Sequence, residues 1–339
     1  MNRKVSKLMT KLVIQIPAYN EAETLPLALA DLPRQIDGVD EIQVVVIDDG
    51  STDNTAQVAL ANGADYVIRH RQNRGLSRAF MDGIQFSLAL GADIIVNTDA
   101  DNQYPGGDIP ELIQPILKKT HDLVIGDRQL AKNMHFSPFK RLLERVGTAF
   151  VRRISSTNVP DAASGFRAFS RYAALPLQVY NPYSYTLDTL IQAGKSRLNI
   201  ASVPIHTNPT TRASRLHKGM SHFIWRQGGA IVRSYLLYQP LRSFMISGIL
   251  VGLPGLALII RFLVYYLMGD GRRFVQSVTL GGAMMIASLL LVIIGFLADA
   301  TRANRQLLEE TLIRKRDTLR FEPDLSQQFL GLDLLRKKD

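Results

Sequence analysis

Apolar residues in the first 125 positions fall into short runs separated by amphipathic stretches. Runs at Leu12–Ile16, Ile42–Ile47, Tyr66–Ile68, Asp93–Asn97 and Leu123–Ile125 have strand length and β-branched content. Between them, Glu23–Leu32, Thr55–Ala61, Leu76–Ala89 and Ile109–Lys118 carry helical spacing. Strands alternating with helices predict an α/β fold, a mostly parallel sheet with helices on both faces. The opening MNRKVSKLMTKLVIQIP has a basic start, but Gln15 and Pro17 interrupt its short apolar run. It reads as a first strand and not as a signal peptide.

The pattern changes after residue 243. Phe244–Met268 and Phe274–Ala298 are almost continuously apolar, and only Gly269–Arg273 separates them. Helices of that length reach roughly 36 Å, enough for a hydrocarbon core of about 30 Å. They predict a transmembrane hairpin, because each exceeds the usual length of a buried core helix. Arg261 interrupts the first; it snorkels toward the nearer end or meets a lipid phosphate. Arg226, Arg233 and Arg242 precede the hairpin, and Arg302, Arg305, Arg314, Lys315 and Arg316 follow it, against Arg272 and Arg273 in the turn. The positive-inside rule then puts both ends, and the large N-terminal domain, on the cytoplasmic side.

Composition sharpens this picture. The net charge is +10. Between Arg128 and Arg242 stand 17 Lys or Arg against Glu144, Asp161 and Asp188, so this third of the chain holds all of the positive excess. Such a field calls for an anionic partner, and its position beside apolar helices favours lipid phosphate or a membrane surface over nucleic acid, for which no binding motif is present. Two segments suit an interface. Ser137-Pro138 opens a helix to about Ser155, with Phe139, Leu142, Leu143, Val146, Phe150 and Ile154 at helical spacing and basic residues on its remaining surface. It lies on an anionic bilayer or packs on the core with a solvated basic face. The stretch 217–243, with Trp225, Tyr235 and Tyr238 among arginines, leads into the hairpin. Zero cysteine excludes disulfides, thiolate metal sites and thiol nucleophiles.

Ligands of such sheets bind beyond the carboxyl ends of the strands. There the chain carries Pro17-Ala18-Tyr19-Asn20-Glu21, Asp48–Asp53, Thr98–Gln103 and Gly126-Asp127-Arg128. Each alone is ordinary turn chemistry. The Asp99, Asp101 pair is harder to dismiss, since two carboxylates that close repel unless a cation sits between them. Oxygen ligands suit Mg²⁺ or Mn²⁺, with Gln103 a further candidate ligand, and such an ion takes its remaining ligands from water and a diphosphate. A nucleotide-sugar is the natural ligand. Ala193-Gly194-Lys195-Ser196 is a decoy, because a phosphate-binding loop needs glycine where Thr189 stands. The six histidines are scattered and read as surface or structural residues.

In order, IPAYNE, IDDGSTD, RGLSRA, TDADNQ, VIGDR, DAASGFRAFSR and TRASRL, followed by the hairpin, resemble the polyprenyl-phosphate glycosyltransferases of the inverting GT-A class called family two. Dolichol-phosphate mannose synthases and bacterial enzymes that load sugars onto undecaprenyl phosphate belong there. The resemblance implies a GT-A fold, a nucleotide-sugar donor (UDP- or GDP-linked), a polyprenyl-phosphate acceptor and a divalent cation. Pro17, Tyr19 and Glu21 would wall the base and ribose, and Ile47 and Asp49 would contact the nucleoside. Asp99, Ala100, Asp101 and Gln103 match the metal and diphosphate loop. Arg128 and Arg141 match arginines that hold the acceptor phosphate. Arg145 stands where close relatives have serine, and Arg212 belongs to the same basic set. Arg215 matches the loop over the donor. Asp161 is the candidate catalytic carboxylate or, equally, a structural cap.

These readings divide the chain into a GT-A domain at 1–216, interfacial helices at 217–243, the hairpin at 244–298 and a cytoplasmic tail at 299–339. That tail begins helix-like at Arg302–Arg316 and offers a surface for a second copy. Two rivals stay open. A processive polysaccharide synthase would share the catalytic machinery but generally carries a Gln-x-x-Arg-Trp motif, absent here. An oligomeric transport subunit would use the hairpin and Arg261 as a pathway.

Overall fold

The computed structural model describes residues 9–129, 152, 157–179, 185–208, 239–269, 274–318 and 332–336. They divide into two units, one comprising the N-terminal part up to Arg226 together with Leu312–Asp339, the other Gln227–Thr311.

The first unit is built on an eight-stranded sheet. Its strands are β1 (Lys11–Ala18), β2 (Glu41–Asp48), β3 (Tyr66–His70), β4 (Ile94–Asn97), β5 (Leu123–Asp127), β6 (Arg167–Ser170), β7 (Ile200–Pro204) and β8 (Leu332–Arg336), in the order β7-β5-β6-β4-β1-β2-β3-β8. β6 and β8 run against the other six, so the sheet is mostly parallel, as its helix–strand alternation predicts. Helices α1 (Leu25–Ala30), α2 (Thr55–Ala61), α3 (Leu76–Ala89) and α4 (Ile109–Leu117) fill the expected stretches.

Side chains of a strand alternate between faces, and both faces of β1 are covered. Leu12, Ile14 and Ile16 pack with Leu29, Ala56, Leu112 and Ile116 from α1, α2 and α4. Val13 joins Val45, Phe80 and Ile84 on the α3 side, together with Leu190 from the helix Tyr185–Lys195. That helix absorbs Ala193-Gly194-Lys195 into its last turn, which removes the decoy. Strands β2 and β3 lie on one side of β1 and β4 on the other, so strand order reverses between β1 and β4. The crevice at such a reversal is where open α/β sheets bind ligands.

The second unit is built on a pair of apolar helices, Pro240–Leu267 and Val275–Thr318, the latter as far as Thr311, each with a stretch long and apolar enough to cross a membrane. They pack through small residues, as helices do when lipid is the solvent. The Ser288 hydroxyl donates to the Gly248 carbonyl at 2.8 Å, and a Cβ on Gly281 would stand 2.7 Å from the Gly255 carbonyl oxygen. Arg261 is not stranded at a helix centre: its guanidinium lies 5.0 Å from the Phe274 ring centroid, next to the turn, and Tyr265 stacks on the same ring.

Candidate active site

Four strand ends and one loop build the site. At the end of β1, Pro17 is buried, Tyr19 is exposed, and Asn20 adopts a left-handed backbone (φ 54°) that turns the chain toward β2. Ser51 Oγ accepts from the Asn20 N–H, and Thr55 Oγ1 accepts from that of Glu21. Ties between IPAYNE and IDDGSTD thus hold the two loops as one wall.

Asp49 is buried, and its carboxylate accepts the backbone N–H groups of Arg74 and Gly75, each at 2.8 Å. The Ile47 side chain is committed to the core beside Val45 and Ile68, which leaves only its backbone to face a ligand.

Asp99, Ala100, Asp101 and Gln103 follow β4. Burial pushes the Asp99 carboxyl up to about 7, helped by the negative charges of Asp101 and Glu21 and opposed by Arg128. Two crowded carboxylates of this kind are relieved by a cation, and Mg²⁺ or Mn²⁺ commonly takes only one or two protein carboxylates. Among the described residues no group of three or more acidic, histidine or cysteine side chains is arranged to hold an ion. The Asp101 carboxylate also accepts the Gln103 N–H at 3.1 Å, and Asn102 is left-handed (φ 55°). Asn208 ties this loop down: its N–H donates to the Gln103 carbonyl at 3.0 Å and its side chain to the Asn102 carbonyl at 2.9 Å.

Beneath the loop lies a buried polar network. Asn97 donates to the Gly165 carbonyl at 2.9 Å and to the Tyr185 hydroxyl at 3.1 Å, and accepts from Gln15 at 2.9 Å. Tyr104 stacks on Phe166, and its hydroxyl accepts the Gly165 N–H. Gly165 has room for nothing larger, because a Cβ there would stand 2.7 Å from the Tyr185 hydroxyl and 3.2 Å from both Asp99 oxygens.

Arg128, after β5, meets Asp161 from DAASGFR through two parallel hydrogen bonds, Nε to Oδ2 at 2.7 Å and Nη2 to Oδ1 at 2.9 Å. Asp161 is buried and also accepts the N–H groups of Ala163 and Ser164. Arg167, counted in the positive field, is fully buried and donates to the carbonyls of Ala162, Ser164 and Thr186. Burial lowers its pKa to about 10, so it remains charged at neutral pH and pins the loop from below.

Glu21, Asp99, Asp101, Arg128 and Asp161 therefore converge on one crevice, with Tyr104 and Tyr185 beneath it. Arg141, Arg145, Arg212 and Arg215, all of the expected helix at 137–155 except Arg152, and most of 217–243 lie outside the described residues. Asn97, Tyr104, Tyr185, Asn208 and the pinning role of Arg167 went unread in the sequence. The one signal for them was the SGFR motif, whose Gly165, Phe166 and Arg167 touch this network.

The arrangement invites comparison with known proteins. The description of glycosyl transferase family 2 matches residues 13–175. The UDP-N-acetylglucosamine–dolichyl-phosphate N-acetylglucosaminyltransferase of Methanococcus voltae is 33% identical over 213 residues, covering 57% of this chain and 83% of that one. The chain belongs to glycosyl transferase family 2. A second relative of this glycosyltransferase is the undecaprenyl-phosphate mannosyltransferase of Micrococcus luteus, 30% identical over 200 residues and covering 56% and 80% of the two chains. Its sheet is of the GT-A type. A glucosyl-3-phosphoglycerate synthase from Mycobacterium tuberculosis, solved with Mn²⁺, uridine diphosphate and glucosyl-3-phosphoglycerate, shares that fold at a TM-score of 0.51. The match covers 67% of this chain and 79% of that one at 22% identity.

Proposed function

We propose that this glycosyltransferase moves one sugar, with inversion, from a nucleotide-sugar to polyprenyl phosphate, and that a membrane hairpin holds its catalytic domain at the cytoplasmic face. The observation that carries the reading is the convergence of the Asp99, Asp101 pair with the Arg128–Asp161 pair at the sheet's reversal point, in a chain with two apolar helices. Named relatives act on dolichyl and undecaprenyl phosphate.

A lipid monophosphate is largely dianionic at neutral pH, so it needs orientation more than deprotonation. Asp161 takes the Nε/Nη2 edge of Arg128 and fixes the guanidinium in place, and the Nη1 and remaining Nη2 hydrogens supply a second edge suited to phosphate. Asp161 is on this reading a positioning residue. Arg141, Arg145 and Arg212 are proposed to complete the acceptor side and Arg215 the donor side. Pro17, Tyr19, Glu21, Asp49 and the Ile47 backbone form the donor wall. Mg²⁺ or Mn²⁺, when bound, would be held by Asp99 and Asp101, with Gln103 assisting, and would offset charge on the departing diphosphate.

The test is incubation of membranes bearing the protein with radiolabelled nucleotide-sugars and undecaprenyl phosphate, with and without EDTA. Label in a chloroform-soluble lipid supports the reading; label only in long polymer overturns it in favour of a processive synthase.

A further inference from the structure

The last residue of β3, His70, is wholly enclosed. Its Nδ1 lies 2.6 Å from Asp49 Oδ1, and its Nε2 forms an ion-pair contact of 3.2 Å with Asp82 Oδ2 on α3. Ionised carboxylates only accept hydrogen bonds, and a neutral imidazole turns a lone pair toward one side. Nδ1 makes a hydrogen bond to Asp49, whereas Nε2 meets Asp82 by charge alone, out of line for a hydrogen bond; a carboxylate on each side of the ring favours the imidazolium.

The surrounding charges agree. The loop after β2 contributes Asp49, α3 contributes Asp82 and Arg78, and the turn before α3 contributes Arg74. Arg78 Nε lies 3.0 Å from Asp82 Oδ2 and Arg74 Nη1 4.0 Å from it. On the other side β8 sets Leu332 opposite His70 and Asp333 opposite Arg69, and Arg69 also pairs with Asp48. Burial alone would lower the His70 pKa; the two carboxylates outweigh it and raise it to about 8. The carboxylate gripped by His70 also accepts the Arg74 and Gly75 N–H groups at the start of α3.

We propose that His70 is a positioning residue of the donor pocket, whose imidazolium, held between Asp49 and Asp82, fixes the Asp49 carboxylate and the turn before α3 in the geometry that receives the nucleoside. The inference rests on the reading that Asp49 lines that pocket. Loss of the proton from Nε2, the contact with the poorer alignment, leaves Nδ1–H on Asp49 as a neutral hydrogen bond in place of a charge-assisted one and loosens the hold on Asp49. Donor binding then weakens at alkaline pH, while kcat at saturating donor holds steady because Arg128 and Asp161 are untouched.

The experiment titrates the full chain in detergent with UDP and with GDP, in the presence of Mg²⁺, between pH 6.5 and 9, and follows the histidine ring signals by NMR. Expected is a five- to tenfold rise in the dissociation constant of the nucleotide that binds, centred where a buried ring titrates. Asp82→Asn should move that inflection downward, toward pH 6.5, and His70→Gln should bind weakly at every pH. If the nucleotide binds and Asp49→Asn weakens it, yet the wild-type profile is flat or Asp82→Asn leaves the inflection in place, the His70 proposal fails alone. If neither nucleotide binds the wild type, or Asp49→Asn has no effect, the donor-pocket reading fails and the proposal with it. The wild-type and Asp82→Asn profiles decide the matter even where His70→Gln does not fold.

Discussion

Arg128 and Asp161 sit 33 positions apart in the chain and meet in a two-point contact that joins the end of β5 to the loop before β6. The guanidinium is largely enclosed and the carboxylate almost wholly so. Removing one partner of such a pair strands the other in a poor solvent, at a cost of about 3 kcal/mol or more. Asp161→Ala should therefore lower thermal stability and reduce lipid glycosylation at least a hundredfold. Arg128→Lys keeps the charge but loses the fork; its expected signature is a raised acceptor KM with modest loss of stability. A stable, fully active Asp161→Ala protein contradicts both roles.

Gly165 predicts a steric effect on the Asp99 carboxylate. Gly165→Ala places a methyl group against the Tyr185 hydroxyl and both Asp99 oxygens. Overpacking of this kind costs about 1–3 kcal/mol. Activity should fall tenfold or more in a protein that still shows cooperative unfolding by circular dichroism, and the divalent-cation concentration for half-maximal rate should rise.

Cation removal offers a separate check. EDTA should abolish transfer, and Mg²⁺ or Mn²⁺ should restore it. A ligand that binds only the folded state raises the melting temperature. Wild-type protein should therefore melt higher with added cation and nucleoside diphosphate, and Asp101→Asn should lose most of that rise along with at least a hundredfold in rate. An unchanged rise in Asp101→Asn would move the cation elsewhere.

His70 has a consequence for stability as well as for binding. Its folded-state pKa of about 8 exceeds the ordinary 6.5, so its contribution is fully present below about pH 6.5 and is lost as pH rises through 8. The shift corresponds to at most about 2 kcal/mol. Denaturant unfolding of the wild type should show a fall of that order between pH 6.5 and 9, and His70→Gln should flatten the curve.

In the hairpin, Gly281→Leu should force the two apolar helices apart, since even a methyl group there meets the Gly255 carbonyl. The expected result is a lower melting temperature in detergent, with little change in nucleotide binding. Ser288→Ala loses one hydrogen bond, worth about 0.6 kcal/mol in such settings, and should be mild.

What the chain disclosed in advance follows from locality. The first five strands and four helices carry their own periodicity, so a reader of the pattern finds them. β6 is four residues long, begins with a buried arginine and pairs antiparallel between β4 and β5, so nothing in its own alternation announces it. β7 is only partly buried and presents a weak pattern. β8 reads as Leu-Asp-Leu-Leu-Arg in a charged tail, and only its pairing with β3 makes it a strand. The carboxylates at the strand ends were legible because the chemistry of a like-charged pair is written in adjacent residues. The grip of His70 on Asp49 was not, since His70 and Asp82 are each ordinary alone and only the fold brings them to that carboxylate. Arg167 shows the opposite error: by composition it belongs to the positive field, whereas it is buried and bound to carbonyls.

The place of β8 in the sheet bears on the order in which the protein is made. β3 is an unpaired edge until residues 332–336 arrive, and an open edge invites pairing with other chains. Those residues leave the ribosome only after both apolar helices have been synthesised. Translation order thus completes both apolar helices before the catalytic sheet can be closed, and the nascent domain carries one bare edge until β8 covers it.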